Sequence, residues 1–430
     1  MYSILQKIIC SLLLSVSILL SGLALWNALH SILAAQPPFT TEENISVAKP
    51  QDVHYTASEL GIGETNAKLP DGLHAKAVCL MDADSERILF GKAEDEPLPM
   101  ASTTKIMTCI LALEQGNLAD EVTFSSYAAS MPDVQLNAQT GESFVLKDLL
   151  YSLMLESHND TAAAIAEHLG GSVQGFAGLM NQKAEELGLV NTHFVTPNGL
   201  DDNEHYTTAK ELCLIAAYAL QNESFREIIR TPSHAFHSLN KNRSFQVRNK
   251  DAFLSSYDGA IGIKTGFTGN AGYCFCGAAT RNGTTLISSV LACGWPPHKS
   301  YKWVDTRKLM DYGFQAFARV NLPDKPALPA IPILNGTQTE LHLNRTVKKE
   351  LSSLYLTAQD TLNICYDLPD SVSAPVRSGD IIGYEQYFLG ETLIYNIPLT
   401  AAQEVTAADQ SYLRDLLLHL FFCSTSQQTT

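Results

Sequence analysis

Met100-Ala101-Ser102-Thr103-Thr104-Lys105-Ile106-Met107-Thr108 is the stretch on which the reading of the whole chain turns. Ser102 and Lys105 stand three apart, at the start of an apolar run (Ile106, Met107, Cys109, Ile110, Leu111, Leu113) with the length of a buried helix. Pro97 and Pro99, just upstream, end the preceding extended segment and set the entry turn. Residues three apart on a helix share a face, so the hydroxyl and the amine are expected in one space. A serine becomes a nucleophile when a base takes its proton, and an amine serves as that base only when neutral. Burial and a nearby positive charge both drive a lysine toward that form. The pair alone is a weak signal. Ser238 and Lys241 repeat the spacing in a polar stretch, and Ser102 by itself reads more simply as a helix N-cap.

The 430 residues are 45% hydrophobic, enough for a sizeable core and, at this length, two domains with tails. A net charge of -16, with no concentration of Lys and Arg, argues against a nucleic-acid partner. After Lys7 the run 8–29 carries no charge and is long enough to cross a bilayer. It reads as a signal peptide, with a small-x-small pattern at Gly22-Leu23-Ala24, or as an uncleaved anchor. Either reading puts the rest of the chain outside the cytoplasm.

The nine cysteines are spread out with no CxxC pair, so they propose no disulfide framework. Cys274 and Cys276 fall two apart in a strand-like run and read as small core residues. The twelve histidines include no HExxH and no Cys/His cluster. Structural cysteines and surface histidines are expected, and neither a metal nor an organic cofactor is implied.

The polar stretch 36–70 reads as a linker. Ala77–Met81 and Arg87–Phe90 form an expected hairpin about an Asp82–Ser85 turn. Helices are expected over Leu146–Leu155, Thr161–Leu169, Gly175–Leu187, Thr208–Leu220 and Tyr301–Phe317. Strand patterns lie at Ala260–Gly266, Gly272–Ala279 and Thr284–Ala292, the last two joined by Arg281-Asn282-Gly283. Strands at both ends of a mainly helical block predict an α+β layer fold in which the early hairpin joins the late meander. Beyond Pro323, Pro326, Pro329 and Pro332, short strand runs (Glu340–Leu343, Leu362–Tyr366, Ile381–Tyr384, Thr392–Tyr395) predict a small all-β domain. The tail from Ala407 to Cys423 carries an apolar stripe, Leu413, Leu416, Leu417, Leu420 and Phe421, suited to a membrane interface or to docking. The expected division is 1–35 leader or anchor, 36–70 linker, 71–320 catalytic domain, 321–402 β-rich domain and 403–430 amphipathic tail.

Two further pieces give Ser102 company. Ser157-His158-Asn159 ends the apolar helix near residue 150, offering a second hydroxyl and a carboxamide; Ser238-Leu239-Asn240 is a chance copy. Lys264-Thr265-Gly266 is scarcer and lies inside an expected strand, where Gly266 lets another backbone approach. A substrate bound along a strand edge needs such an approach. Ser-x-x-Lys on a helix, then Ser-x-Asn, then Lys-Thr-Gly on a strand is the ordered set of penicillin-binding proteins and class A β-lactamases.

Together with Thr196-Pro197-Asn198-Gly199-Leu200-Asp201 and the run Tyr257 to Gly266, the set closely resembles the serine-type D-alanyl-D-alanine carboxypeptidases. These are low-molecular-mass penicillin-binding proteins that trim peptidoglycan stem peptides, and the resemblance is strong over residues 70 to 320. It implies a β-lactamase/transpeptidase-like domain, an exported protein, stem peptides ending in D-Ala-D-Ala as substrate and β-lactams as inhibitors. It implies Ser102 as nucleophile, Lys105 as its base and Ser157 as proton carrier. Asn159 would hold both the substrate amide and Lys105; Lys264 and Thr265 would hold the terminal carboxylate, and the N–H groups of Ser102 and Phe267, after Gly266, the oxyanion. Arg248 is a further candidate for the carboxylate. His158, where a small residue is usual, would narrow the cleft, and Phe267 sits at a variable position. A class A β-lactamase would need a Glu-x-x-Asn in the loop after Ser-x-Asn, which His193–Asp202 lacks. The same residues also fit a DD-endopeptidase acting on cross-links, or a cell-wall binding protein that keeps the cleft without turnover.

Overall fold

The computed structural model describes residues 51–408, apart from 133, 323–324 and 348–352, together with 412 and 414. The apolar N-terminal run 8–29, and with it Cys10, lies outside these residues. So do Cys423 and all five residues of the C-terminal stripe. Among the described residues, no helix is long and apolar enough to cross a membrane.

The chain forms two compact units, one made of the described parts of Ala57–Leu322 and Leu351–Gln359, the other of the remainder. The first is built on a five-stranded antiparallel sheet. In spatial order its strands are Ile88–Lys92, Ala77–Asp82, Thr284–Leu291, Gly272–Arg281 and Ala260–Thr268. The early hairpin therefore does join the late meander, and Ala260–Thr268 is left as an edge. Both faces are covered. Ala77–Asp82 is buried at every residue, sending Val78 and Leu80 to one core and Ala77, Cys79 and Met81 to the other, as strand alternation requires. The first core packs on the helix Tyr301–Ala316 through Leu309 and Met310. The second, larger core is shared with the helices Lys105–Gln115, Asn159–Gly170 and Ala209–Ala219. The Asn282-Gly283 turn has positive φ at both residues, which matches the twist of the strands it joins.

Three local readings differ from the sequence expectation. The apolar run 146–155 is an α-helix only over Leu146–Tyr151. It then widens into a π-helical turn, Ser152–Glu156, and stops at Ser157 in the left-handed conformation. Ser233–His237 and Ser244–Arg248 form an unexpected hairpin joined through 238–243. There the Ser238 hydroxyl accepts from the Lys241 N–H at 3.1 Å, so the second Ser-x-x-Lys is a turn signature. Ser353–Leu356, expected in the β domain, pairs with Ala318–Asn321 and belongs to the first unit.

In the second unit the described elements up to Ala401 are all strands. Its larger sheet runs Val53–Thr56, Thr361–Asp367, Ile381–Leu389, Thr392–Ala401 and Leu343–Arg345. Val53–Thr56 falls in the expected linker yet supplies a full antiparallel partner to Thr361–Ile364. Ile331, Ile333, Leu341, Leu399 and Val405 form its core. Glu385 is fully buried there and tolerated because Arg345 Nε and the Tyr387 hydroxyl both donate to it at 2.6 Å.

Candidate active site

The site lies where the N-terminus of the Lys105–Gln115 helix meets the edge strand. Ala101–Thr104 is a single 3-10 turn leading into that helix, so Ser102 stands on a tight turn rather than within the helix as expected. Ala101 has φ +48°, a left-handed conformation unusual for a residue with a side chain. Two glycines make room for this turn. A Cβ on Gly199 (φ +83°) would fall on the Ala101 carbonyl oxygen. A Cβ on Gly266 would lie 3.0 Å from Ser102 N and 3.2 Å from Met100 O. The backbone that approaches Gly266 is thus the Ser102 turn of the protein itself, where a substrate strand was expected.

A histidine holds the same turn. His205 Nδ1 accepts from the Val195 N–H at 2.9 Å, so its Nε2 carries the hydrogen and donates to Thr104 Oγ1 at 2.7 Å. Thr104 Oγ1 then donates to the Ala101 carbonyl at 2.8 Å. Burial pushes His205 down to about 4, in keeping with a neutral ring. His205 and His158 are 3% and 4% exposed, so the expectation of surface histidines is wrong for both.

Lys105 is fully buried, and its Nζ meets three oxygens: Ser102 Oγ at 2.9 Å, Asn159 Oδ1 at 2.8 Å and Asn198 O at 2.6 Å. The Asn159 orientation follows from its Nδ2, which donates to Pro132 O at 3.1 Å. Asn159 Oδ1 and Asn198 O can only accept. A neutral amine has two N–H bonds and one lone pair, so giving both hydrogens to those acceptors turns the lone pair to Ser102 Oγ, the one partner able to donate. The electrostatics agree. Burial first, and then the charge of Lys264, hold Lys105 well below the usual lysine range, with Asp160 pulling the other way.

Lys264, on the edge strand, is 2% exposed and donates to the Thr265 carbonyl at 2.9 Å. Burial brings it down to about 7, opposed by the carboxylate of Asp251. Asp251 is itself buried just before the short helix Phe253–Ser256, which packs on the edge strand; its Oδ1 accepts from the Phe253 N–H at 2.9 Å. Burial raises Asp251 to about 7. Phe267 is 43% exposed, its ring tilted against Tyr273 at 4.6 Å.

Ser157 owes its left-handed backbone (φ +72°) to the end of the π turn, and its buried Oγ has no hydrogen-bond partner among the described residues. His158 does not narrow the cleft: its Nδ1 is 2.8 Å from Ser152 Oγ, inside the fold. Arg248 is exposed at the end of its hairpin strand, linked to this region through its backbone N–H, which donates to Glu156 at 3.0 Å. Sequence reasoning missed the Asn198 carbonyl and His205. The Pro197-Asn198-Gly199 turn was legible, but a backbone acceptor leaves no residue signature. Among the described residues, no three His, Cys, Asp or Glu side chains are grouped to hold a metal.

The comparisons with known proteins bear on this arrangement directly. The D-alanyl-D-alanine carboxypeptidase family (Peptidase_S11) matches residues 64–294, and the C-terminal domain of penicillin-binding protein 5 matches residues 346–407. D-alanyl-D-alanine carboxypeptidase DacF of Bacillus subtilis (strain 168) is 31% identical over 317 residues, 72% of this chain and 80% of its own. A D-alanyl-D-alanine carboxypeptidase of a Streptomyces species is 35% identical over 274 residues, 60% of this chain and 93% of its own. The crystal structure of penicillin binding protein 5 from Haemophilus influenzae superposes with a TM-score of 0.65 at 27% identity, covering 79% of this chain and 99% of that one. The fold is accordingly the transpeptidase-like α+β domain followed by a small all-β domain. On the strength of a match over more than half its length and of these relatives, the chain belongs to the D-alanyl-D-alanine carboxypeptidase family of serine hydrolases.

Proposed function

We propose that the protein removes the terminal D-Ala from peptidoglycan stem peptides ending in D-Ala-D-Ala, through an acyl-enzyme on Ser102 that β-lactams also form. The observation that carries this reading is the buried Lys105 amine, whose Nζ lies 2.9 Å from Ser102 Oγ while Asn159 Oδ1 and Asn198 O stand ready to accept its two hydrogens. Lys105 takes the Ser102 proton as Oγ attacks the carbonyl between the two D-Ala residues. The N–H groups of Ser102 and Phe267 receive the oxyanion, and the closeness of Gly266 to Ser102 N supports that pairing. Ser157, with its unpartnered hydroxyl, hands a proton to the departing amine and takes up the one that Lys105 removed from Ser102. Asn159 holds Lys105 and the substrate amide, while Lys264 and Thr265 receive the terminal carboxylate. Water then frees the enzyme. Arg248 assists with the carboxylate only if its exposed side chain swings toward the strand.

The apolar run 8–29 supports an exported protein working at the outer face of the membrane, and the C-terminal stripe supports contact with that surface. Release of D-Ala from a soluble peptide ending in D-Ala-D-Ala, with negligible turnover of a β-lactam, tests the activity. Cleavage of cross-linked dimers alone would favour the endopeptidase, and fast β-lactam turnover the β-lactamase.

The charge of Lys264 sets an upper pH limit. Because the protonated form binds the carboxylate and burial brings this lysine to about 7, kcat/KM falls as pH rises through that value. Asp251 holds Lys264 up, so Asp251→Asn moves the fall to lower pH by about one unit. A pH profile of the variant that is unmoved, or moved upward, rules out this pairing.

A further inference from the structure

His158 is a buried titratable side chain to which the reaction above gives no part, although it sits between Ser157 and Asn159. Its hydrogen bond to Ser152 and its ion-pair contact with Glu156 form a directed chain. Glu156 Oε2, 3.4 Å from Nε2, can only accept while ionised, so Nε2 carries the hydrogen. Nδ1 is then the acceptor for the Ser152 hydroxyl at 2.8 Å, and Ser152 Oγ also meets Thr161 Oγ1 at 2.9 Å. Burial holds the ring below its ordinary pKa, which suits this neutral form, although Asp160 and Glu156 oppose it. Glu156 is anchored in turn by the Arg248 N–H at 3.0 Å and by Lys250 Nζ at 3.2 Å. The Lys250 N–H donates to Leu155 O at 3.1 Å. The imidazole therefore bridges the first and last residues of the π turn Ser152–Glu156, whose last residue is tied to the hairpin.

What this bridge secures is the residue that follows the turn. Ser157 is left-handed, an unfavourable conformation for a residue with a side chain, and such a conformation persists only where its surroundings over-determine it. On the other side of His158, Asn159 is held by its own N–H on Val134 O at 2.7 Å and by Lys105. We propose that His158 is a positioning residue, whose bridge from Ser152 to Glu156 fixes the left-handed Ser157 and the Asn159 carboxamide for acyl transfer. This rests on the roles given to Ser157 and Asn159 above. Since both groups act on the reacting atoms, loosening them lowers kcat more than it raises KM.

The test uses the full chain as wild type, His158→Ala, His158→Gln and Glu156→Gln. Titration with a fluorescent β-lactam counts competent sites, and D-Ala release is expressed per competent site. His158→Ala is expected to lower kcat per site by about 10–100-fold with KM within about threefold, the scale of a small misplacement of reacting groups. His158→Gln, whose amide N–H reaches toward Glu156, recovers kcat to within about fivefold of wild type, and Glu156→Gln loses about 3–10-fold. A per-site kcat in His158→Ala within about twofold of wild type, an effect on KM alone, or no recovery in His158→Gln overturns the proposal. Should His158→Ala not fold, an unchanged kcat in Glu156→Gln overturns it. A wild-type protein that takes no label instead overturns the Ser102 reading, a failure distinguishable because it precedes any variant.

Discussion

Lys105→Met is expected to slow acylation of Ser102 by a β-lactam by about 10²–10⁴-fold, the usual contribution of a positioned base. Methionine fills nearly the same buried volume, so the helix Lys105–Gln115 keeps its packing while the lone pair facing Ser102 is lost. Lys105→Arg should fail as badly, because a guanidinium stays protonated and has no lone pair to offer. Stopped-flow acylation rates on folded protein decide the matter. A loss below about tenfold for Lys105→Met would mean that Ser102 finds its base elsewhere.

Gly199→Ala is the second large effect, and it acts on the scaffold. The added Cβ meets the Ala101 carbonyl oxygen and must do so from φ +83°, so neither the turn nor the residue can yield cheaply. Because Ala101 is itself strained and precedes Ser102, the shift reaches the nucleophile and the Thr104–Ala101 bond that steadies it. We expect a loss of about 3 kcal/mol or more in urea unfolding and a nearly complete loss of acylation. Gly178→Ala, in the helix Val173–Glu186 with open space at its Cβ, serves as the control and should be neutral or stabilising by up to about 1 kcal/mol. Equal behaviour of the two variants would remove the steric argument.

These two residues also mark what the sequence could and could not disclose. Lys105 was legible because side-chain chemistry, helical spacing and the later Lys-Thr-Gly strand all point the same way. The meander followed from alternation and from the Asn282-Gly283 turn, and its joining with the early hairpin from strands at both ends of a helical block. Gly199 was visible as a turn residue, but its contact partner, Ala101, is far away in sequence. The same holds for Asn198, which works through its backbone, and for His205, whose burial depends on packing against Thr104. The π turn at Ser152–Glu156 has the composition of an ordinary apolar helix, and the contacts of His158 with its two ends carry no signature in the sequence. The strands Val53–Thr56 and Ser353–Leu356 were misassigned because their partners are distant, and chain order says little about which sheet a short strand completes.

Acylation at Ser102 is tested most directly by the mass of the intact protein after incubation with a β-lactam, followed by peptide mapping, in wild type and Ser102→Ala. One added β-lactam per chain is predicted, located on Ser102 and absent from the variant. An adduct on any other residue, an adduct that survives Ser102→Ala, or no adduct on folded wild-type protein would contradict it.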